Sequence, residues 1–226
     1  MLAVLRRRNF ALLWWGALIS RLGDYTLAVG LPFYVYQHTG STLATSGMVV
    51  AELVPEILLG SLAGVYVDRW DRRGAMITAD IARAVVLLAL LSAQSPGALW
   101  IVYLVAVAQT SAAQFFIPAS GALLPRLVEE DQVLTANALR ALMDNVARVM
   151  GPAIGGLLLG LCGLSGVVLA DAVSFLFSAG MILLGGGRRG RRATTPHPAD
   201  GDARSRRSGG CAQRLARASG RDGRDR

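Results

Sequence analysis

The sequence predicts an all-α membrane protein: a six-transmembrane-helix bundle over residues 1–187, then a disordered, Arg-rich C-terminal tail over residues 188–226. Three observations carry this. The 226 residues are 53% hydrophobic and only 17% charged, with a mean hydropathy of +0.45, whereas a soluble domain carries about 25% charged residues. Six stretches approach the ~20 apolar residues that cross about 30 Å of hydrocarbon. The arginines between them fall in alternate loops, the bias that orients helices in a membrane. An ordinary soluble enzyme is excluded. Cys162 and Cys211, in unlike surroundings, cannot make a disulfide framework either.

The first stretch, Phe10–Tyr36, follows Arg6, Arg7 and Arg8 and precedes the arginine-free turn His38-Thr39-Gly40-Ser41. That start resembles a signal peptide, but the run is too long, holds Arg21 and Asp24, and lacks a small-residue cleavage site. The second, Thr42–Val67, is followed by Arg69, Arg72 and Arg73. The third, Ala75–Ala93, ends at the arginine-free Ser95-Pro96-Gly97. After the fourth, Leu99–Ile117, comes a longer segment, Ala119–Asn137, in which Arg126 and Glu129-Glu130-Asp131 mark solvent or interface. The fifth and sixth, Ala138–Leu161 and Val167–Leu184, are joined by Gly163-Leu164-Ser165-Gly166, again without arginine. With six spans, every loop arginine lies on one side. The expectation is a multi-pass protein of the cell membrane with both termini cytoplasmic; one miscounted span would break the alternation.

Charges inside hydrocarbon cost at least about 2.5–3.5 kcal/mol each, so they should face protein or water. Arg21 and Asp24, three apart in mid-span, share a helix face and can pair. They read either as a proton or substrate pathway or as a neutralising structural pair. Glu52, Glu56, Gly60, Gly64 and Asp68 recur every four residues along one stripe. Its glycines permit close helix packing, and its two glutamates stand either in a pathway or solvated at the outer mouth. Asp80 with Arg83, near the cytoplasmic end of the third span, and the ladder Arg140, Asp144, Arg148 entering the fifth read as structural ion pairs. Gln109, Gln114 and Asp171 are polar enough to line a cavity.

No enzyme constellation is present. Cys162 has no histidine near it, His38 is in a loop and His197 in the tail. Metal-ligand spacing, a phosphate-cradling Gly-Lys-Ser/Thr loop and a G-x-S-x-G elbow are all missing, so neither cofactor nor metal is expected.

From Gly60 through Leu62, Gly64, Asp68 and Arg69 to Arg72 and Arg73, the chain resembles motif A of the major facilitator superfamily, G-x-L-a-D-r-x-g-R-[RK], with Asp71 replacing the usual glycine. Gly151-Pro152-Ala153-Ile154-Gly155-Gly156 resembles the core of that family's antiporter motif C. That match is partial, since Ala138 and Ala147 stand where the family has glycines. The segments Phe10–Trp14, Ser20–Asp24 and Asp171–Phe175 look like the branch containing macrolide-efflux and enterobactin-exporter proteins. The resemblance spans roughly residues 5–187. It implies the amino-terminal half of a twelve-helix, proton-coupled exporter, whose two halves rock around a midplane site. It also implies roles. Arg21, Asp24, Glu52, Glu56, Gln109 and Asp171 would form the proton or substrate pathway. Gly60, Gly64, Asp68, Arg69, Arg72 and Arg73 would be a conformational latch to the other half. Arg148, Gly151, Pro152, Gly155 and Gly156 would provide a kinked packing helix. The partners implied are membrane lipids, a small amphipathic substrate and protons, with a C-terminal six-helix half or a second copy completing the body.

The tail supplies the whole formal charge of +8, since residues 1–187 hold 11 arginines and 11 acids. It contains one leucine, Leu215, and no Ile, Val, Met or aromatic residue, too little to offset the entropy of ordering. It reads as a cytoplasmic tail touching anionic lipid, or as the product of a reading-frame shift near Gly185–Arg192, which the abrupt compositional break favours. Nucleic-acid binding is not expected without aromatics or a folded frame. The functional expectation is export, against a non-transporting fragment or a half-size transporter acting as a homodimer.

Overall fold

Helices account for nearly all of the described residues, because these are apolar and seldom interrupted. A computed structural model describes residues 2–92 and 99–185. The tail, residues 188–226, and the predicted turn at Ser95-Pro96-Gly97 lie outside them. A short helix α1, Leu2–Leu5, precedes α2, Arg8–Thr39. Then follow α3, Thr42–Arg69; α4, Arg72–Ser92; α5, Leu99–Leu123; and α6, Val133–Leu184. Two short 3-10 turns, Leu124–Leu127 and Glu130–Gln132, bridge α5 and α6 and leave Glu129, Glu130 and Asp131 exposed.

The turns follow from their residues. Gly40 closes α2 in the left-handed region (φ 63°), its N–H bonded to Tyr36 O at 2.8 Å, the conformation glycine adopts at helix ends. The Ser41 hydroxyl then accepts the Ala44 N–H (3.2 Å) and caps α3. Asp71 accepts the Gly74 N–H (3.1 Å) at the start of α4. An N-cap oxygen is worth about 1 kcal/mol, which gives the departure from motif A's glycine a local purpose.

The predicted turn at Gly163–Gly166 shrinks to one residue. Only Gly163 leaves helical geometry in α6 (φ 65°, ψ −169°), and the chain reverses there, as the contacts along α2 demonstrate. On the first arm, Trp14 Nε1 donates to Leu139 O (3.0 Å) and Thr26 Oγ1 to Gly151 O (3.0 Å), so numbering rises in parallel. On the second arm, Gly16, Gly23 and Gly30 of α2 meet Ser178, Asp171 and Val167, so numbering falls. The arms are antiparallel, and α6 makes two passes. Pro152 sits within the first arm, and its backbone keeps helical φ/ψ.

Four helical segments are long and apolar enough to cross a membrane: Thr42–Gly60, Arg72–Leu91, Leu99–Leu123 and Glu130–Leu184, the last long enough for both passes. The first expected span, inside α2, is not among them; Arg21, Asp24 and its Trp and Tyr residues dilute its apolar character. It is instead held by protein: α2 packs chiefly on α6, α3 on α5, and α4 on both α5 and α6. One core cluster gathers Phe10, Leu13, Met76, Phe116 and Met143; a second gathers Leu31, Met48, Leu87, Val167 and Phe175.

The arginine-bearing segments meet at one end. Arg7 pairs with Glu129 (2.6 Å). Arg73 Nε donates to Ile182 O (2.9 Å), and its Nη2 reaches the Leu183 carbonyl. A guanidinium on the last carbonyls of a helix satisfies orphan acceptors and complements the dipole.

Candidate functional site

The site lies where α2, α3, α4 and α5 diverge around a cavity of about 220 Å³. From α2 come Arg21, Asp24 and Tyr25; from α3, Glu52 and Glu56; from α4, Arg83; from α5, Gln109, Thr110 and Gln114. Five residues expected on a pathway, Arg21, Asp24, Glu52, Glu56 and Gln109, therefore line the same cavity. Glu52 is half-buried and Glu56 exposed, yet both line the cavity.

Its centre is Arg83. This side chain is 4% exposed. Its Nη2 donates to Asp24 Oδ1, its Nε to Gln109 Oε1 (3.1 Å), and its plane lies 4.0 Å over the Phe175 ring. Gln109 Nε2 returns a bond to the Arg83 carbonyl (2.8 Å). A guanidinium presents a fixed fork of donors and a stacking face. Here both are used, and the cation is fixed at the cavity wall.

This corrects two sequence readings. Arg21 and Asp24 do not pair with each other: Asp24 binds Arg83, and Arg21 reaches Asp144 on α6 (3.8 Å). Nor is Asp80–Arg83 an ion pair at the membrane edge. Arg83 is eleven residues into α4, some 16 Å along the axis at about 1.5 Å per residue. That arithmetic was available from the sequence and would have placed Arg83 in mid-membrane. The ladder on α6 opens likewise, since Asp144 turns to Arg21 and Arg148 Nε donates to Tyr25 Oη (3.4 Å).

Asp171 does not line the cavity. It is buried behind α2, where its Oδ1 accepts the Ser174 hydroxyl (3.0 Å). In the helix expected to pack closely, Gly151 and Gly155 do press on α2: a Cβ there would lie 2.4 Å from Tyr25 Cβ and 2.8 Å from Thr26 O. Gly156 faces open space and takes no part. Gly60 and Gly64 likewise meet nothing closely: the nearest atom is Gln114 Oε1, 3.4 Å from a Cβ on Gly60. Among the described residues, the tight packing expected of Gly60 and Gly64 is not made. Arg72 is half-buried, and the side chains of Asp68 and Arg69 lie outside the described residues.

A family model described as transmembrane secretion effector matches residues 1–196. The chain belongs to the major facilitator superfamily. It is 32% identical to the uncharacterized major-facilitator-type transporter YfiS of Bacillus subtilis over 163 residues, 71% of this chain and 38% of that protein. It is 27% identical to macrolide efflux protein A of Streptococcus pyogenes over 173 residues, 76% of this chain and 43% of the relative. With YkuC of B. subtilis the identity is 26% over 182 residues, 79% and 42%. The chain spans about two-fifths of the length of the curated relatives it matches. This is a facilitator-family body of membrane helices, from a family of transporters rather than enzymes.

Proposed function

We propose that the chain is the amino-terminal six-helix half of a proton-coupled exporter of a small amphipathic compound, working by alternating access. One observation carries the reading: an open cavity lined by Asp24, Glu52 and Glu56 with a buried arginine on one carboxylate. Acidic groups that are costly in hydrocarbon yet converge on one cavity suit a cationic or protonated cargo, and carboxylates are the groups that take up and release protons. Similarity to a macrolide efflux protein supports the direction of transport.

In this reading the chain sits in the plasma membrane with both termini cytoplasmic; the meeting of the Arg7 and Arg73 segments at one end supports the sidedness, since arginine-bearing loops stay inside. Motif A would form the latch to a second half, with Arg73 holding α6. The alternative readings are a fragment without transport of its own and a half-size transporter working as a pair. Open Gly60 and Gly64 on α3 leave a surface for either a second half or a second copy.

The deciding experiment is Asp24→Asn in a version of this protein carrying the second half. Export driven by a proton gradient is expected to fall to background, while membrane insertion is kept, because an amide fits the site but exchanges no proton. Undiminished efflux would reduce Asp24 to a structural partner of Arg83.

A further inference from the structure

Arg148, on the first arm of α6, is exposed. It also lies deep in the expected span Ala138–Leu161, ten residues from one limit and thirteen from the other. At about 1.5 Å per residue, the nearer limit is about 15 Å away along the axis, too far for the side chain to reach a headgroup layer. Its carbonyl is no better placed. Pro152, four residues on, has no N–H, so the helical hydrogen bond to the Arg148 carbonyl is missing. A guanidinium and an orphan carbonyl are both costly against lipid tails, so this strip of α6 faces water or a polar ligand. Val149 and Met150 beside it are exposed as well, 74% and 52%, which sets the two polar groups in an apolar surface.

The packing of α6 on α2 ties this strip to the cavity. Arg148 Nε donates to Tyr25 Oη (3.4 Å), and Tyr25 lines the cavity that Glu52 and Glu56 share. Gly151 permits the contact, since a Cβ there would come 2.4 Å from Tyr25 Cβ. The acid that faces Arg148 is Asp144, one turn back, and Arg21 already meets it at 3.8 Å. Among the described residues, neither Arg148 nor Glu52 nor Glu56 forms an ion pair. Charge of both signs is therefore left for a ligand. A guanidinium offers a planar fork that fits a carboxylate or phosphate, and with Nε held by Tyr25 the two Nη groups remain for it.

We propose that Arg148, braced by Tyr25, receives the anionic end of the cargo, whose cationic end meets Glu52 and Glu56. The cargo is then a zwitterionic amphiphile, with apolar groups against Val149 and Met150. The proposal rests on the export reading and narrows its substrate class. Tyr25 is a positioning residue, acting through the arginine.

Binding to the 226-residue chain in lipid nanodiscs tests this, with empty nanodiscs as the partitioning background. The probes are the dipeptide Leu-Trp, a zwitterion, and its carboxamide, which keeps the ammonium and the apolar groups but lacks the carboxylate. The wild type is expected to bind the dipeptide about tenfold or more tighter than the carboxamide, as a charged hydrogen bond implies. Arg148→Gln should abolish that preference and leave carboxamide binding unchanged, and Arg148→Lys should keep part of it. Tyr25→Phe should reduce the preference, again without changing carboxamide binding, a split that a general loss of packing does not produce. Equal affinity of the wild type for the two probes, binding of neither, or a preference that survives Arg148→Gln overturns the proposal. If Arg148→Gln spares the preference and instead weakens crosslinking between copies, Arg148 serves a protein contact and not a cargo. Failure of the export reading is distinguishable: proton-driven efflux that survives Asp24→Asn leaves the preference between probes where it was.

Discussion

At the scale of single residues, glycines decide how near α6 comes to α2. A methyl group on Gly23 would lie 1.9 Å from Asp171 Oδ1 and 2.6 Å from Ser174 Oγ, both buried. Overpacking of this kind costs about 1–3 kcal/mol, so Gly23→Ala should lower the melting temperature in detergent measurably. Gly156→Ala is the control: its Cβ meets nothing within 4 Å, and replacing a mid-helix glycine should gain about 0.5–1 kcal/mol. Equal melting temperatures for the two variants would mean that α2 and the second arm stand further apart than described. The charged residues make the complementary point about legibility. Spacing put Arg21 and Asp24 on one helix face, correctly, but a shared face does not choose a partner. Arg83 from α4 and Asp144 from α6 arrive only when the helices pack, and no periodicity within a single helix encodes that arrival.

At the scale of elements, apolar length predicted the helices well and their joints unevenly. Gly40-Ser41 and Asp71 cap helices through chemistry visible in the sequence. The four-residue linker Gly163–Gly166 reads as a loop, yet Leu164, Ser165 and Gly166 are already helical and a single backbone angle reverses the chain. Reversal in so little chain crowds the joint: a Cβ on Gly166 would lie 2.2 Å from Cys162 Cβ. The Gly163 conformation (φ 65°, ψ −169°) belongs to a region open essentially to glycine alone. Gly163→Ala should therefore cost about 1–3 kcal/mol. The readout is faster hydrogen exchange confined to residues near 158–168, with the α2–α5 amides unchanged; exchange unaltered at the joint would show that the turn tolerates a side chain.

At the scale of the whole molecule, apolar side chains stay exposed on several helices, those of α3 among them. Ile57, Leu58 and Leu62 on α3 are 68%, 62% and 54% exposed, beside the open Gly60 and Gly64, and the cavity opens among the same helices. Alternating access needs two bodies that close on each other. Residues 1–226 alone, in vesicles, are expected to give no efflux above background where a version with the second half does. Comparable efflux from the short chain, with crosslinking into dimers, would instead establish a paired half-size transporter. The all-helical character of the chain was legible from hydropathy; which α3 residues stay uncovered was not, since a membrane span is apolar whether it meets lipid or protein. The reversal at Gly163 has one more consequence. Cys162, next to it, is an exposed free thiol at the joint between the two arms of α6, and the other cysteine of the chain, Cys211, belongs to the basic tail. The protein thus carries its own two-point ruler of sidedness. A membrane-impermeant maleimide added to intact cells should modify Cys162 at once and reach Cys211 only after lysis, and the opposite order would turn the whole bundle over.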